Sequence, residues 1–214
     1  MKKIIFIISI LLILTIPTFA EHENAADSLN KLGLFNGTDN GYELETTFTR
    51  AQGATMLVRL LGKESGVDSW NTGMVFSDVE ADHWANPYIS YCYANGIVNG
   101  TSETTFTPAR EMTCQEYLTI ILRSIGYSNV NPDNALIAAA EYGLLTSKSL
   151  NEIAGKEEFT RDDMVYISYH ALTVKGSDDK TIIKKLLDAE VITELQYNEV
   201  IPKNSIDDIL NELL

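Results

Sequence analysis

Three predicted helices begin with the same polar signal, which contains the residues best suited to chemistry. A threonine is followed three positions later by an amide or a carboxylate, in the pairs Thr49 and Gln52, Thr113 and Glu116, and Thr160 and Asp163. In a capping box the threonine accepts a hydrogen bond from the third amide of the helix, and the side chain at that third position reaches back to the threonine amide. Asp163 is one carbon shorter than glutamate and is expected to fit less well. Each signal predicts a helix that starts at its threonine.

Arginine follows the threonine in two of these signals, as Arg50 and Arg161, whereas Cys114 takes that place in the third. A capping box needs no cation there, and the helix dipole disfavours one by roughly 0.3 to 1 kcal/mol. An arginine beside free helix amides would make a pocket for an anionic group. The alternative from spacing alone is a solvated surface arginine. We expect Cys114 to be exposed, Cys92 to lie in the core, and both thiols to be free.

The helices that carry these signals recur along the chain. Each follows an apolar helix that ends at a glycine, and the glycine lies 16 or 17 residues before the threonine (Gly33 and Thr49, Gly96 and Thr113, Gly143 and Thr160). Equal spacing indicates an internal repeat. The helices of the three units are predicted at 25–32, 49–62, about 84–96, 113–126, 135–142 and 160–174, with further amphipathic helices at 181–191 and 205–213.

The repeat divides the chain into a leader, three units, a linker and a tail. These are the leader 1–20, the first unit 21–63, a Gly-rich linker 64–75, the second unit 76–127, a divergent third unit 128–193 and a helical tail 194–214. The leader has a basic start, an apolar run from Ile4 to Ile16 and a small residue at its end, which is typical of a secretory signal peptide. This run is shorter than the roughly 20 apolar residues of a spanning helix, so we expect no membrane span after cleavage.

Composition and motifs disfavour several function classes. The formal net charge of −14 argues against nucleic acid, whose phosphates need a basic face. The histidines lack metal-ligand spacing, and the sequence contains neither a nucleophile elbow nor a glycine-rich phosphate loop. Residues 39–41 lack the ligand pattern of a calcium loop and are interpreted as a turn. We predict no catalytic site, no metal and no cofactor, with a glycosidase-type carboxylate pair as the alternative.

Several motifs, in order, resemble the S-layer homology (SLH) domain, of which three usually stand in tandem. They are Phe76-Ser77-Asp78-Val79, His83-Trp84-Ala85, the run from Asn95 to Gly100, Phe106 with Pro108, and the Thr-Arg-Ala-Gln start at Thr49. The resemblance covers about 25–193 and is loosest in the third unit. It implies a mainly α fold in which three helix-loop-helix repeats form a pseudo-threefold spindle around a central helix bundle, with polysaccharide-binding grooves between the units.

The resemblance also implies a ligand and its contacts. The typical ligand is a secondary cell-wall polysaccharide, often with a pyruvylated sugar. The matching positions are Arg50 and Arg161 for the ligand carboxylate, Gln52, Glu116 and Asp163 at the family's glutamate, and Asp78 and Trp84. Trp84 would otherwise be a core residue. Because the second unit has Cys114 for arginine, and the first and third lack the lead-in of Asp78 and Trp84, at most two grooves are expected to be complete.

These patterns predict a secreted, non-catalytic protein that attaches non-covalently to polysaccharide of the bacterial cell wall. One alternative is a module that recruits another exported protein through the helix from Ile206 to Leu213. A cell-wall hydrolase is a second alternative. The repeats leave no room for a separate catalytic domain, which disfavours the hydrolase.

Overall fold

The computed structural model describes residues 18–70 and 76–201, and within these ranges the protein is mainly α. The helices are α1 (Thr18–Lys31), α2 (Arg50–Leu60), α3 (Asn86–Ala94), α4 (Cys114–Ser124), α5 (Ala135–Glu141), α6 (Ser147–Ala154), α7 (Arg161–Ala171), α8 (Ile182–Asp188) and α9 (Glu194–Val200), with a 3-10 helix at Glu64–Trp70. No regular strand forms in the described ranges, where four isolated bridges pair short stretches of loop.

Most predicted helices are present, with local differences in their bounds. The helix expected from about Trp84 begins at Asn86, because Pro87 occupies its first turn and turns precede it. The linker expected from 64 is helical up to Trp70, whose ring packs against Tyr91 at 5.3 Å. Helix α1 starts at Thr18, well before the expected 25. Helix α6 was not predicted, and α9 lies in the predicted helical tail, ahead of the helix expected at 205–213.

Parts of three predictions lie outside the described residues. They are the predicted signal peptide up to residue 17, the linker residues 71–75 and the predicted helix 205–213. Within the described part of the chain, no helix combines the length and apolarity that a membrane span requires.

The helices contact one another in a closed order. Helix α3 packs on α2, α5 on α4 and α1 on α7, so the first helix of each predicted unit lies against the second helix of the preceding one. Because α1 packs on α7, the first predicted unit contacts the third. Helix α4 also contacts both α2 and α7. This order places the starts of α2, α4 and α7 next to one another, and the division into three repeats stays a prediction.

Aromatic rings fill the centre where these three helix starts meet. Phe48, Tyr117 and Phe159 are buried, and their ring centroids lie 5.3 to 5.9 Å apart. The Tyr117 hydroxyl is 2.6 Å from Ser168 Oγ, and since Ser168 Oγ donates to the Met164 carbonyl, Tyr117 is the donor of this bond. One buried side chain therefore joins α4 to α7.

Candidate functional site

At all three predicted helix starts, the side chain at the third position accepts a hydrogen bond from the threonine amide. The Thr49 amide donates to Gln52 Oε1 at 2.8 Å, and the Thr113 amide donates to Glu116 Oε2 at 3.1 Å. The shorter Asp163 also accepts from the Thr160 amide, at 3.2 Å. Unlike Thr49 and Thr113, Thr160 accepts no cap hydrogen bond from the third helix amide, so the fit at Asp163 is poorer, as predicted.

The first amides of α2 and α7 are not free, contrary to the prediction. They donate to backbone carbonyls of the loop before the next helix start: Arg50 to Arg110 at 2.9 Å, Ala51 to Pro108 at 3.1 Å, Arg161 to Thr46 at 2.8 Å and Asp162 to Leu44 at 2.9 Å. An anion therefore cannot rest on these amides. Any anionic ligand has to be bound by the side chains around the helix starts.

Arg50 is buried and joins the start of α2 to the loop before α4 and to α4 itself. Its Nε donates to the Phe106 carbonyl at 2.8 Å, its Nη2 to the Asn99 carbonyl at 2.9 Å, and its Nη1 pairs with Glu116 at 3.2 Å. The guanidinium also lies 4.4 Å from the centre of the Phe106 ring. Burial lowers the pKa of Arg50, and the charge of Glu116 opposes this effect. The alternative of a solvated arginine is wrong at this position.

Glu116 balances the charge of Arg50 and of a second cation. Arg110 donates through both of its terminal nitrogens to the two Glu116 oxygens. Burial would raise the pKa of Glu116, but the bonds from Arg110 and the Thr113 amide, together with the charge of Arg50, hold this pKa below its ordinary value. Glu116 therefore stays ionised next to two arginines.

Asp78 binds backbone in the same loop that Arg50 holds. Its two oxygens accept from the amides of Phe106 at 2.8 Å and Thr107 at 2.7 Å, and Thr107 has a positive φ of 56°. Burial would raise the pKa of Asp78, but these two hydrogen bonds outweigh it and lower the pKa. Asp78 thus stabilises a strained turn of the loop.

Arg161 lines an open groove beside an exposed tryptophan. Its Nε donates to the Tyr42 carbonyl at 3.0 Å, and its guanidinium lies 5.3 Å from the Phe35 ring centre. The groove has a volume of about 210 Å³ and also contains Gln52, Arg59 and Trp84; we call it the Trp84 groove. Trp84 is 57% exposed, so the alternative that it belongs to the core is wrong.

A second groove is built from the same helix positions. It has a volume of about 250 Å³, and we call it the Glu116 groove. The positions taken in the Trp84 groove by Arg161, Gln52, Thr55 and Arg59 are taken here by Arg50, Glu116, Thr119 and Arg123. Sequence reasoning missed Arg59 and Arg123. The sequence could have indicated both arginines, because Arg59 follows Gln52 by seven residues and Arg123 follows Glu116 by the same interval.

The third helix start has side chains of a different kind. Cys114 is only 3% exposed, which contradicts its expected exposure, because it packs where the other starts carry arginine. The Asp163 carboxylate is fully buried and pairs with Lys156. On α7, Tyr166 and His170 take the positions of Thr55 and Arg59, with ring centroids 4.5 Å apart. Asp163 therefore lies in the interior of the protein rather than in either groove.

Burial predicts that both cysteines are unreactive in the folded protein. Burial raises the pKa of the Cys114 thiol to about 12, and it raises the pKa of Cys92 as well. At pH 8 we expect Ellman's reagent to label neither thiol, since the thiolate is the reactive species. In guanidinium chloride both should react. Rapid labelling of Cys114 under native conditions would contradict its burial.

Comparison with known proteins supports the resemblance in the middle of the chain. Residues 75–117 match the family model described as S-layer homology domain. The chain is 30% identical over 160 residues to the middle cell wall protein of Brevibacillus brevis, which is 72% of this chain and 15% of that protein. It is 29% identical over 199 residues to a cell surface protein of Thermoanaerobacter kivui, which is 90% of this chain and 26% of that one.

An enzyme is also among the relatives. The chain is 30% identical over 115 residues to an endoglucanase of a Bacillus species, which is 49% of this chain and 12% of the enzyme. The chain thus spans 26% or less of each of these three curated relatives. Together, the matched domain and the surface proteins confirm one S-layer homology domain at 75–117 and indicate a location at the cell surface.

Proposed function

We propose that the chain consists of three S-layer homology repeats and binds a secondary polysaccharide of the cell wall, which holds it non-covalently at the cell surface. In this proposal the protein is exported, non-catalytic and free of cofactors. The Trp84 groove and the Glu116 groove are the binding sites. The observation that carries the proposal is a groove in which an exposed tryptophan of the matched domain lies beside two arginines.

The chemistry of the Trp84 groove suits an acidic sugar. The exposed indole of Trp84 offers a flat apolar face on which a sugar ring can pack. Arg161 and Arg59 present guanidinium groups, which bind carboxylates through charge-assisted hydrogen bonds. A pyruvylated sugar would supply both a ring and a carboxylate.

The charge of the whole protein does not prevent this binding. The net charge of −14 repels an anionic polymer at long range, but salt screens exposed charges beyond about 8 Å at physiological ionic strength. The arginines act within that distance. Two weak sites on one rigid fold would also gain avidity from a repeating polymer, since binding at one site raises the effective concentration of sugar at the other.

Wall binding should depend on the Trp84 groove. We expect the chain to sediment with purified cell-wall sacculi and to stay in solution with sacculi stripped of secondary polymer. Arg161→Ala should weaken wall binding by ten-fold to a hundred-fold, because a hydrogen bond to a charged group contributes about 1.5 to 3 kcal/mol. Trp84→Ala should weaken it similarly. Binding isotherms with intact sacculi would measure both losses.

A matched control uses a cation that lines neither groove. Lys148 is exposed on α6 and pairs only weakly with Glu152, so Lys148→Ala changes the net charge by the same amount as Arg161→Ala. Its wall binding should equal that of the wild type. Equal recovery from stripped and intact sacculi would contradict the proposed function. Full binding by Arg161→Ala, with an intact fold, would contradict this residue's role.

A further inference from the structure

A cavity with a volume of about 320 Å³ lies where α2, α3 and α4 end, with α8 along one side; we call it the Leu186 cavity. Its lining includes five buried or half-buried aliphatic residues: Leu61, Ile97, Ile125, Ile182 and Leu186. Val191 also lines it and is 43% exposed, and Leu195 on the following helix is 69% exposed. Exposed apolar surface that borders a cavity marks a binding site, because covering it removes apolar area from water.

Among the described residues, the Leu186 cavity is lined by three cations and by no acidic side chain. The cations are Lys63, which is exposed, Arg123 and Lys185. Lys185 pairs with Asp178, outside the lining, at 2.9 Å. Lys63 and Arg123 also complement the dipoles of the helices that end beside them, but that role would not need an uncovered apolar cavity. Charge and polarity together fit a partner whose apolar face is flanked by carboxylates.

The tail of the chain, residues 202–214, lies beyond the described ranges and has the complementary pattern in its sequence. In the predicted helix, four apolar residues would share one face. These are Ile206, Ile209, Leu210 and Leu213. Asp207 and Glu212 would flank that face on its two sides, since each residue of a helix turns by about 100°. The leader offers no such match, because residues 1–20 contain two lysines and no acidic residue.

The tail starts close enough to reach the Leu186 cavity of its own molecule. Ile201 is the last described residue and follows Val191 by ten positions, seven of which belong to α9. With the rise of a helix for α9 and extended chain for the rest, Ile201 lies at most about 25 Å from Val191. An extended stretch over 202–204 followed by a helix over 205–213 would also span about 25 Å. A single chain can therefore place its own tail in its own cavity.

We propose that the tail docks as an amphipathic helix in the Leu186 cavity of the same molecule. Its apolar face covers Val191 and the aliphatic lining of the cavity. The two flanking carboxylates pair with Lys63 and Lys185 at the edge of the cavity. This inference does not rest on the proposed function, because neither the cavity nor the tail has to bind a sugar for the docking to occur.

Docking has two consequences for the rest of the protein. Arg123 lines both the Leu186 cavity and the Glu116 groove, so the docked tail would lie beside that groove. A docked tail would also present its apolar face inward. It would then not be free to recruit another exported protein, which is the alternative function that the sequence suggested for this segment.

Paramagnetic relaxation in two-dimensional NMR tests this docking on the whole chain. Asn211→Cys places a thiol on the side of the predicted helix away from its apolar face, where a nitroxide maleimide can label it. The two native thiols are buried and should stay unlabelled, which wild type treated with the same reagent would check. The methyl signals of Ile182 and Leu186 should lose most of their intensity, whereas that of Ile153, beside the start of α4, should keep its own. Undiminished signals of Ile182 and Leu186 would overturn the docking.

Three further substitutions in the spin-labelled chain test the two parts of the contact. Leu210→Asp should restore the cavity signals, because it puts a charge into the apolar face of the tail. Lys63→Glu should restore them in part, because it repels the flanking carboxylates. Lys148→Glu makes the same charge change at an exposed site on α6 and should restore nothing. If the signals stay weak in Leu210→Asp, the docking is wrong; if they stay equally weak in Lys63→Glu and Lys148→Glu, the proposed ion pairing is wrong.

A mixing experiment distinguishes the chain's own tail from that of a second copy. Isotope-labelled wild type without a nitroxide is mixed with spin-labelled Asn211→Cys chain that carries no isotope label. The Ile182 and Leu186 signals should keep their intensity in this mixture, since each cavity already holds its own tail. Loss of intensity in the mixture would overturn docking within one molecule, because the occupant would then be the tail of another copy.

Discussion

Replacing Arg50 by alanine is expected to lower the free energy of unfolding by about 3 to 5 kcal/mol, as when one partner of a buried ion pair is removed. The substitution removes three hydrogen bonds and the contact with the Phe106 ring. It leaves the carbonyls of Phe106 and Asn99 without their donor in a region that stays packed. Urea denaturation followed by circular dichroism would measure the loss.

The equivalent residue Arg161 is the matched control for this prediction. Arg161 is half-buried and forms one hydrogen bond, to the Tyr42 carbonyl, so Arg161→Ala should cost only about 1 kcal/mol. Arg50→Lys should cost nearly as much as Arg50→Ala, because an ammonium group cannot reproduce the planar fork of three directed donors. Similar losses for Arg50→Ala and Arg161→Ala would contradict a structural role that is specific to Arg50.

Arg50 and Arg161 show which features of the site the sequence predicts and which it does not. The capping boxes at Thr49, Thr113 and Thr160 were predictable, because each depends on residues only three positions apart. The environment of the following arginine depends on residues more than forty positions away, because Arg50 donates to the Asn99 carbonyl and to Glu116. Similar local signals therefore leave Arg50 buried and Arg161 half-buried, each at the edge of a different groove.

The predicted exposure of Cys114, at the third helix start, was wrong for a related reason. Exposure of Cys114 was inferred from its place in a first helical turn, where polar residues usually face solvent. Here the closed order of the helices covers that turn, and Cys114 is buried. Helix α6 was missed because it has only two buried apolar residues, Leu150 and Ile153, too few to show a helical period. Packing between distant segments decides the first case, and a weak local pattern explains the second.

Tyr117→Ala is the second substitution expected to have a large effect, about 3 to 5 kcal/mol of unfolding free energy. Tyr117 is fully buried, and its ring contacts those of Phe48 and Phe159 from the other two predicted units. Phe48 and Phe159 are themselves buried, so their other packing contacts hold them in place around the site that the ring leaves. The cavity should therefore stay open, as urea denaturation would show.

Tyr117→Phe is the control that keeps the ring. It removes the hydroxyl that donates to Ser168, but Ser168 still donates to the Met164 carbonyl, so the cost should be about 1 kcal/mol. The closed helix order adds a second expectation for Tyr117→Ala, because a defect shared by all three units should shift one cooperative transition of the whole fold. Two separate transitions would mean that the predicted units are stabilised independently, and the central rings would then not hold them together.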